Sequence, residues 1–403
     1  MHSFSKNRNI LLILAAICFI GPLMNAFFAL KACGGMHSPY YFIGYETGFG
    51  GRKLLGTIFN FILPEYVRHR HLIPYIMGVI ILNAILFIKL SYNSLTRYTD
   101  KYSVIALMLF LTIYLISPFS FLRMTSHLVW YADIWLYLAS LIFLLLYINH
   151  RKTWWYWPTT LIIAIAACLT HHIFCCIFFP MFAALFVNDT INGSSINIKK
   201  GVGYFIICLT LVAIFLVIWF WGDSNMDIDA VYDNVSRRTN CVCTKERIYF
   251  HWLYGTNAEN IQAMWDVGQF PWRYYQFLPV IILISPMIIL FCAPWIMAIR
   301  STPKGIVRTK YTIIFLLPTL LILPMFVVAT DYSRWFYAWF FCQMMLLLVM
   351  HALNDIIIDT QLRRLLLFLK KHWAIALLLI IYCCSFRIGA CGIDWMELVP
   401  TLF

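Results

Sequence analysis

Laid out as membrane spans, the apolar runs of this chain push its charges to one side, and that sidedness limits what it can fold into. The runs lie near 10–30, 72–88, 104–118, 128–148, 158–170, 173–187, 203–221, 274–298, 311–329, 335–353 and 373–389, eleven crossings in all. With the N-terminus inside, the inner segments hold 17 of the 30 Lys and Arg residues but only four of the 17 acids, Asp100, Asp189, Asp355 and Asp359. The outer segments hold the other 13 basic and 13 acidic residues, so the whole net charge of +13 lies on the inner side. Short loops rich in Lys and Arg belong on the cytoplasmic face. The reverse orientation puts nearly every one of them outside.

The run from Pro158 to Val187 is too long for one untilted helix, and His171-His172 lies near its middle. Arg151 and Lys152 precede it and Lys199 and Lys200 follow it, and both pairs belong inside. The run is therefore expected to form two short helices that turn at the outer face.

Composition agrees with this layout. A hydrophobic fraction of 62%, with 12% charged residues and a mean hydropathy of +0.80, exceeds soluble usage. Eleven crossings consume most of the 403 residues. The chain is thus expected to be one integral membrane domain over 1–403, with 222–273 as its large outer loop and no separate catalytic domain. Activity would have to come from helix ends and loops. The basic residues are spread through short segments, which suits anionic inner-leaflet lipid and not nucleic acid. The first apolar run lacks a small-residue cleavage site and reads as a retained span. Nine of the 13 cysteines fall in spans, where cysteine acts as a small apolar residue. Cys33, Cys241, Cys243 and Cys391 fall outside, where a disulfide is open to them.

The first outer segment carries the sharpest motif, Tyr40-Tyr41-Phe42-Ile43-Gly44-Tyr45-Glu46-Thr47-Gly48-Phe49-Gly50-Gly51-Arg52-Lys53-Leu54-Leu55-Gly56. Glycine-dense backbone allows close approach to a ligand, and exposed amides at a helix start bind anions. Arg52 and Lys53 are expected to open an interfacial helix with Leu54, Leu55, Ile58, Phe59, Phe61 and Ile62 on its apolar side. Glu46 would then sit beside a phosphate held by the two cations. The bland alternative is a flexible linker with a solvated glutamate.

Further polar residues recur at the outer ends of spans. Thr330-Asp331-Tyr332-Ser333-Arg334-Trp335 places an acid and an arginine at helical spacing, where they could pair locally or serve a site. Arg123, His127 and Asp133 lie between spans three and four, and an acid a turn inside a span faces a cavity or a partner. His171 and His172 could act as acid, base or hydrogen-bond donor. Asp227-x-Asp229 in the large loop has the look of a metal-binding pair, although loop acids are usually solvated. No phosphate-binding P-loop, nucleophile elbow, H-E-x-x-H or dinucleotide fingerprint occurs.

This arrangement resembles the GT-C type of polytopic glycosyltransferase, which takes sugars from polyprenyl-phosphate carriers. The resemblance rests on the N-in start, the acid just after span one, the Gly50–Gly56 helix entry and the late D-x-x-R-W element at Asp331–Trp335. It implies an all-α transmembrane bundle working at the periplasmic face of a bacterial inner membrane. It also implies sugar transfer, with inversion, from a polyprenyl-linked donor to a glycan or lipid-linked acceptor. Glu46 would be the base, with Asp331 and then Asp133 in reserve. Arg52, Lys53, Arg123, His127, His171, His172 and Arg334 would bind substrate. No resident cofactor follows. The first outer loop lacks a paired Asp-Glu or Asp-Asp, which leaves a divalent metal open. An O-antigen polymerase is the neighbouring reading. A lipid or solute transporter, or an acyltransferase using His171-His172, would be the alternatives of another class.

Overall fold

The computed structural model describes residues 19–20, 23–28, 30, 38–96, 101–122, 129–193, 195–223, 226–239, 244–250, 253–267, 270–328 and 332–385. Most of them are helical. The helices are α1 Leu54–Ile62, α2 His69–Thr96, α3 Lys101–Ile116, α4 Asp133–His150, α5 Tyr156–Thr170, α6 Phe174–Ile177, α7 Phe179–Thr190 and α8 Ile198–Trp221. There follow α9 Ile228–Arg238, α10 Lys245–Phe250, α11 Asn257–Val267, α12 Phe270–Ser301, α13 Ile306–Leu320, α14 Leu323–Val328, α15 Tyr332–Ala352, α16 Ile356–Lys371 and α17 Trp373–Ser385. A two-residue hairpin, β1 Ile191–Asn192 against β2 Ser195–Ile196, links α7 to α8.

The chain is an all-α membrane bundle. Among the described residues six stretches are long and apolar enough to cross a bilayer: Arg70–Thr96, Asp133–His150, Ile198–Trp221, Val280–Ser301, Ile306–Val327 and Tyr332–Ala352. A seventh arises if the pair Ile356–Lys371 and Trp373–Cys383, bent by 97°, is one span. Tyr102–Ile116 and Tyr156–Thr170 are shorter apolar helices.

Helix α15 is the hub, with every residue from Tyr332 to Ala352 buried. It packs against α2, α3, α4, α7, α12, α13 and α16. Its aromatics interlock with the neighbours: Phe341 meets Tyr137 edge-on at 4.8 Å, and Phe340 lies 4.8 Å from Phe119. Helix α8 is the opposite case. Phe205, Leu209, Val212, Leu216 and Phe220 recur every three or four residues and stay exposed, a stripe suited to hydrocarbon.

The long run around His171-His172 does break as its charges required. Helix α5 ends at Thr170, His171 adopts extended backbone, and α6 and α7 follow, with Pro180 in the first turn of α7. The two arms return to the same end. Asp189, at the close of α7, lies 3.7 Å from Arg151, ahead of α5, and 2.7 Å from Lys200 at the start of α8. Tyr204 donates to the same carboxylate at 2.8 Å. One half-buried acid thus gathers Arg151 and Lys200 from either side of the hairpin.

A second, smaller hydrophobic core lies at the other end of the bundle. Tyr40, Tyr41, Phe42, Ile43, Leu55 and Phe59 of the first loop pack with Val129, Trp130 and Ile134, and with Val231, Val235 and Ile248 of the large loop. Val67 bridges Thr239, and its N–H donates to Arg238 O at 2.7 Å. The two loops therefore form one cap.

Candidate functional site

The cap and the helix ends beneath it bring polar groups from five parts of the chain together. The first loop supplies Arg52 and Lys53, both buried although cationic. The sequence suggested that this pair opens the helix. Instead α1 begins at Leu54, with Lys53 at its N-cap position. Arg52 stands in the turn before it with φ 76°, a left-handed conformation that costs a non-glycine residue about 1–3 kcal/mol. Surrounding contacts hold it there. Its N–H donates to Leu169 O at 3.2 Å and its guanidinium to Tyr40 Oη at 3.3 Å. Leu169 lies two residues before His171, so the first loop is fastened to the turn of the α5–α7 hairpin. Gly51 permits that approach, because a Cβ there would strike His172 Nδ1 and meet Ile218 Cγ2 at 3.0 Å.

Lys53 donates to Gly48 O at 3.2 Å. Burial lowers its pKa to about 8, against the opposing pull of Asp223 and Glu46. Asp223 is brought there by backbone, its N–H donating to Phe49 O at 2.8 Å.

Glu46 is exposed. Its carboxylate accepts from Gly44 N–H at 3.0 Å and from Asn60 Nδ2 at 2.8 Å. Asn60 in turn accepts from Arg238 at 2.6 Å, and the same guanidinium reaches Phe42 O at 3.4 Å. The acid is thus held in place by a relay running from the large loop through α1.

Asp133 and Arg334 form a buried ion pair at 2.7 Å, with side chains 4% and 6% exposed. The guanidinium of Arg334 also lies 4.8 Å from the Tyr131 ring and 5.0 Å from that of Trp335. The sequence left open a local Asp331–Arg334 pair. Arg334 reaches an acid on α4, 201 residues away. Asp331, Arg123 and His127 lie outside the described residues, as do Cys33, Cys241, Cys243 and Cys391.

His171 and His172 are buried in the turn between α5 and α6, with ring centroids 5.4 Å apart. Burial drives both imidazoles toward the neutral form, His172 to about 3, and the charge of Arg52 pushes the same way. Arg334 acts on His171 as well. His171 therefore feels both arginines, and the Arg52 and Arg334 sites belong to one electrostatic neighbourhood. The charges acting on these imidazoles are cationic, so they are neutral hydrogen-bonding groups and poor proton acceptors. The His171 Nε2 atom is buried and makes no hydrogen bond within the described residues.

Residues 55–241 match the family model described as Domain of unknown function (DUF6311). No curated protein and no solved structure matches the chain. The matched stretch contains Asp133, His171, His172 and Asp223, and it leaves Glu46, Arg52, Lys53 and Arg334 on either side. The site is assembled from matched and flanking segments together.

Two sequence signals resolve differently. The Asp227-x-Asp229 pair is spent on structure, since Asp227 caps α9 by accepting from Asp229 N–H and Asp229 pairs with Lys245. Among the described residues no three His, Cys, Asp or Glu side chains meet in a metal-holding group. Asn60 and Tyr131 escaped sequence reading, and Tyr40 was read only as part of the glycine-rich motif. Each is an unremarkable polar or aromatic residue until its distant partner is known.

Proposed function

We propose that this chain is a membrane glycosyltransferase that moves a sugar from a polyprenyl-phosphate donor to a glycan or lipid-linked acceptor. The observation that carries the reading is the convergence of Arg52, Lys53 and Arg334 at the ends of apolar helices. A phosphate whose lipid tail stays in the bilayer needs cations at that depth. The glycine-dense loop before α1 and the resemblance to GT-C enzymes support the same reading. In it the chain crosses a bacterial inner membrane eleven times, with its N-terminus in the cytoplasm and α1 along the periplasmic interface. Polymerisation of surface polysaccharide is the neighbouring variant, with the same donor chemistry.

In this mechanism Glu46 takes the proton from the acceptor hydroxyl as that oxygen attacks the anomeric carbon. The bond to the carrier phosphate breaks in the same displacement, so the configuration inverts. Arg52 and Lys53 stabilise the charge that develops on the departing phosphate. Asp133 fixes the guanidinium of Arg334, and the neutral His171 offers a hydrogen bond. Its exposure suits Glu46 to meet an incoming acceptor, whereas Asp133 is engaged with Arg334.

The test is transfer of radiolabel from a polyprenyl-phosphate sugar in proteoliposomes of the purified chain. Label in the glycan or lipid acceptor fraction is the expected result. Movement of an intact lipid or solute across the bilayer, with no transfer of label, would replace this reading with transport.

A further inference from the structure

At the far end of the bundle, helix α16 presents a face that the site above does not use. Helix α15 runs from Arg334 to His351, about 25 Å at the helical rise. There His351 Nδ1 meets Asp359 Oδ1 of α16 at 2.7 Å, both side chains buried. Ile358, Gln361, Leu362 and Leu369 are buried as well, so this side of α16 is committed to the protein.

The other side is exposed. Ile356, Arg363, Arg364, Leu367, Phe368, Lys370 and Lys371 all face outward. At 100° per residue Ile356 and Leu367 form a central ridge, with Arg363 and Lys370 on one flank and Arg364 and Lys371 on the other. Both acids near the helix start are turned elsewhere. Asp359 pairs inward with His351, while Asp355 accepts from Tyr311 at 2.8 Å and lies 3.9 Å from Lys310. Among the described residues no carboxylate pairs with any of the four outward cations. Arg363 stacks on Tyr102, and Arg364 donates to Gln361, which holds both heads in place.

We propose that this outward face of α16 docks on the anionic phospholipid of the adjoining leaflet. The four cations gather headgroup phosphates, and Leu367 and Phe368 reach the boundary with the acyl chains. The orientation follows from the bend. Helix α17 is apolar and leaves α16 at 97°, so if α17 stands along the membrane normal, α16 lies in the plane of the surface. An apolar ridge flanked by cations is the pattern of a helix lying in a charged interface. The proposal is independent of any transferase activity.

The full chain, placed in nanodiscs of equal phosphatidylglycerol and phosphatidylcholine, tests this by native mass spectrometry of the lipids it retains. Wild type should keep phosphatidylglycerol in preference. Each charge removed should cut that preference about 5-fold, so Lys370→Gln with Lys371→Gln should cut it roughly 25-fold. Arg363→Lys with Arg364→Lys should preserve it, which separates charge from misfolding. Arg300→Gln with Lys304→Gln, exposed at the end of α12 and in the turn after it, should change it little. The proposal is overturned if the α16 pair retains the wild-type ratio or if the Arg300 and Lys304 pair lowers it equally. Displacement of the retained phosphatidylglycerol by inorganic phosphate or by soluble polyglutamate would overturn it too.

Discussion

The Asp133–Arg334 pair should behave as one unit, and cutting either half should cost far more than removing both. Both side chains are buried, and their oxygen and nitrogen lie 2.7 Å apart. With charge centres about 4 Å apart and an effective dielectric near 20, the attraction is roughly 4 kcal/mol. The desolvation of two ions opposes that gain, so the net worth of the intact pair is small. Removing one partner is different, because the survivor keeps its desolvation and loses its counter-charge, at about 3–5 kcal/mol. Asp133→Asn and Arg334→Gln should each lose stability in that range. Asp133→Leu with Arg334→Met should lose much less than the sum of the matching single changes. Unfolding free energies in mixed detergent–SDS micelles supply the double-mutant cycle, with expected coupling above about 2 kcal/mol. Single changes that add to within about 0.5 kcal/mol would refute the reasoning, since they would mean that the pair is solvated or not formed.

Other consequences are as direct. Glu46→Gln should reduce turnover about 10²- to 10⁴-fold with donor binding intact, whereas Arg52→Ala should weaken donor binding, as kinetics and direct titration would separate. Lys53, held at about 8 by burial, should make binding of a polyprenyl phosphate weaken as pH rises through that value, and Lys53→Arg should flatten the profile. The stability effect has the opposite sense. Between about 8 and the ordinary lysine value near 10.4 the unfolded chain binds more protons than the folded one, so folding should gain stability as pH rises across that window. Gly51→Ala should force the first loop away from His172, costing about 1–3 kcal/mol in the same unfolding assay and lowering transfer.

The sequence alone determined the class of the fold. Apolar runs and the lopsided placement of Lys and Arg report on the solvent around each segment, and that information is local. The hairpin around His171-His172 was legible for the same reason, because Arg151, Lys152, Lys199 and Lys200 had to share one side. Arg52 and Lys53 stood out as cations beside a glycine-rich stretch, and both proved buried. Pairings were another matter. Arg334 forms a buried ion pair with Asp133, and Glu46 is held by Asn60, itself joined to Arg238. Such contacts span 201 and 178 residues, and nothing in the neighbouring sequence encodes them. The left-handed turn at Arg52 is likewise a tertiary decision. Local preference disfavours it, and the bonds to Leu169 and Tyr40, which exist only once α5 and the first loop are packed, hold it in place.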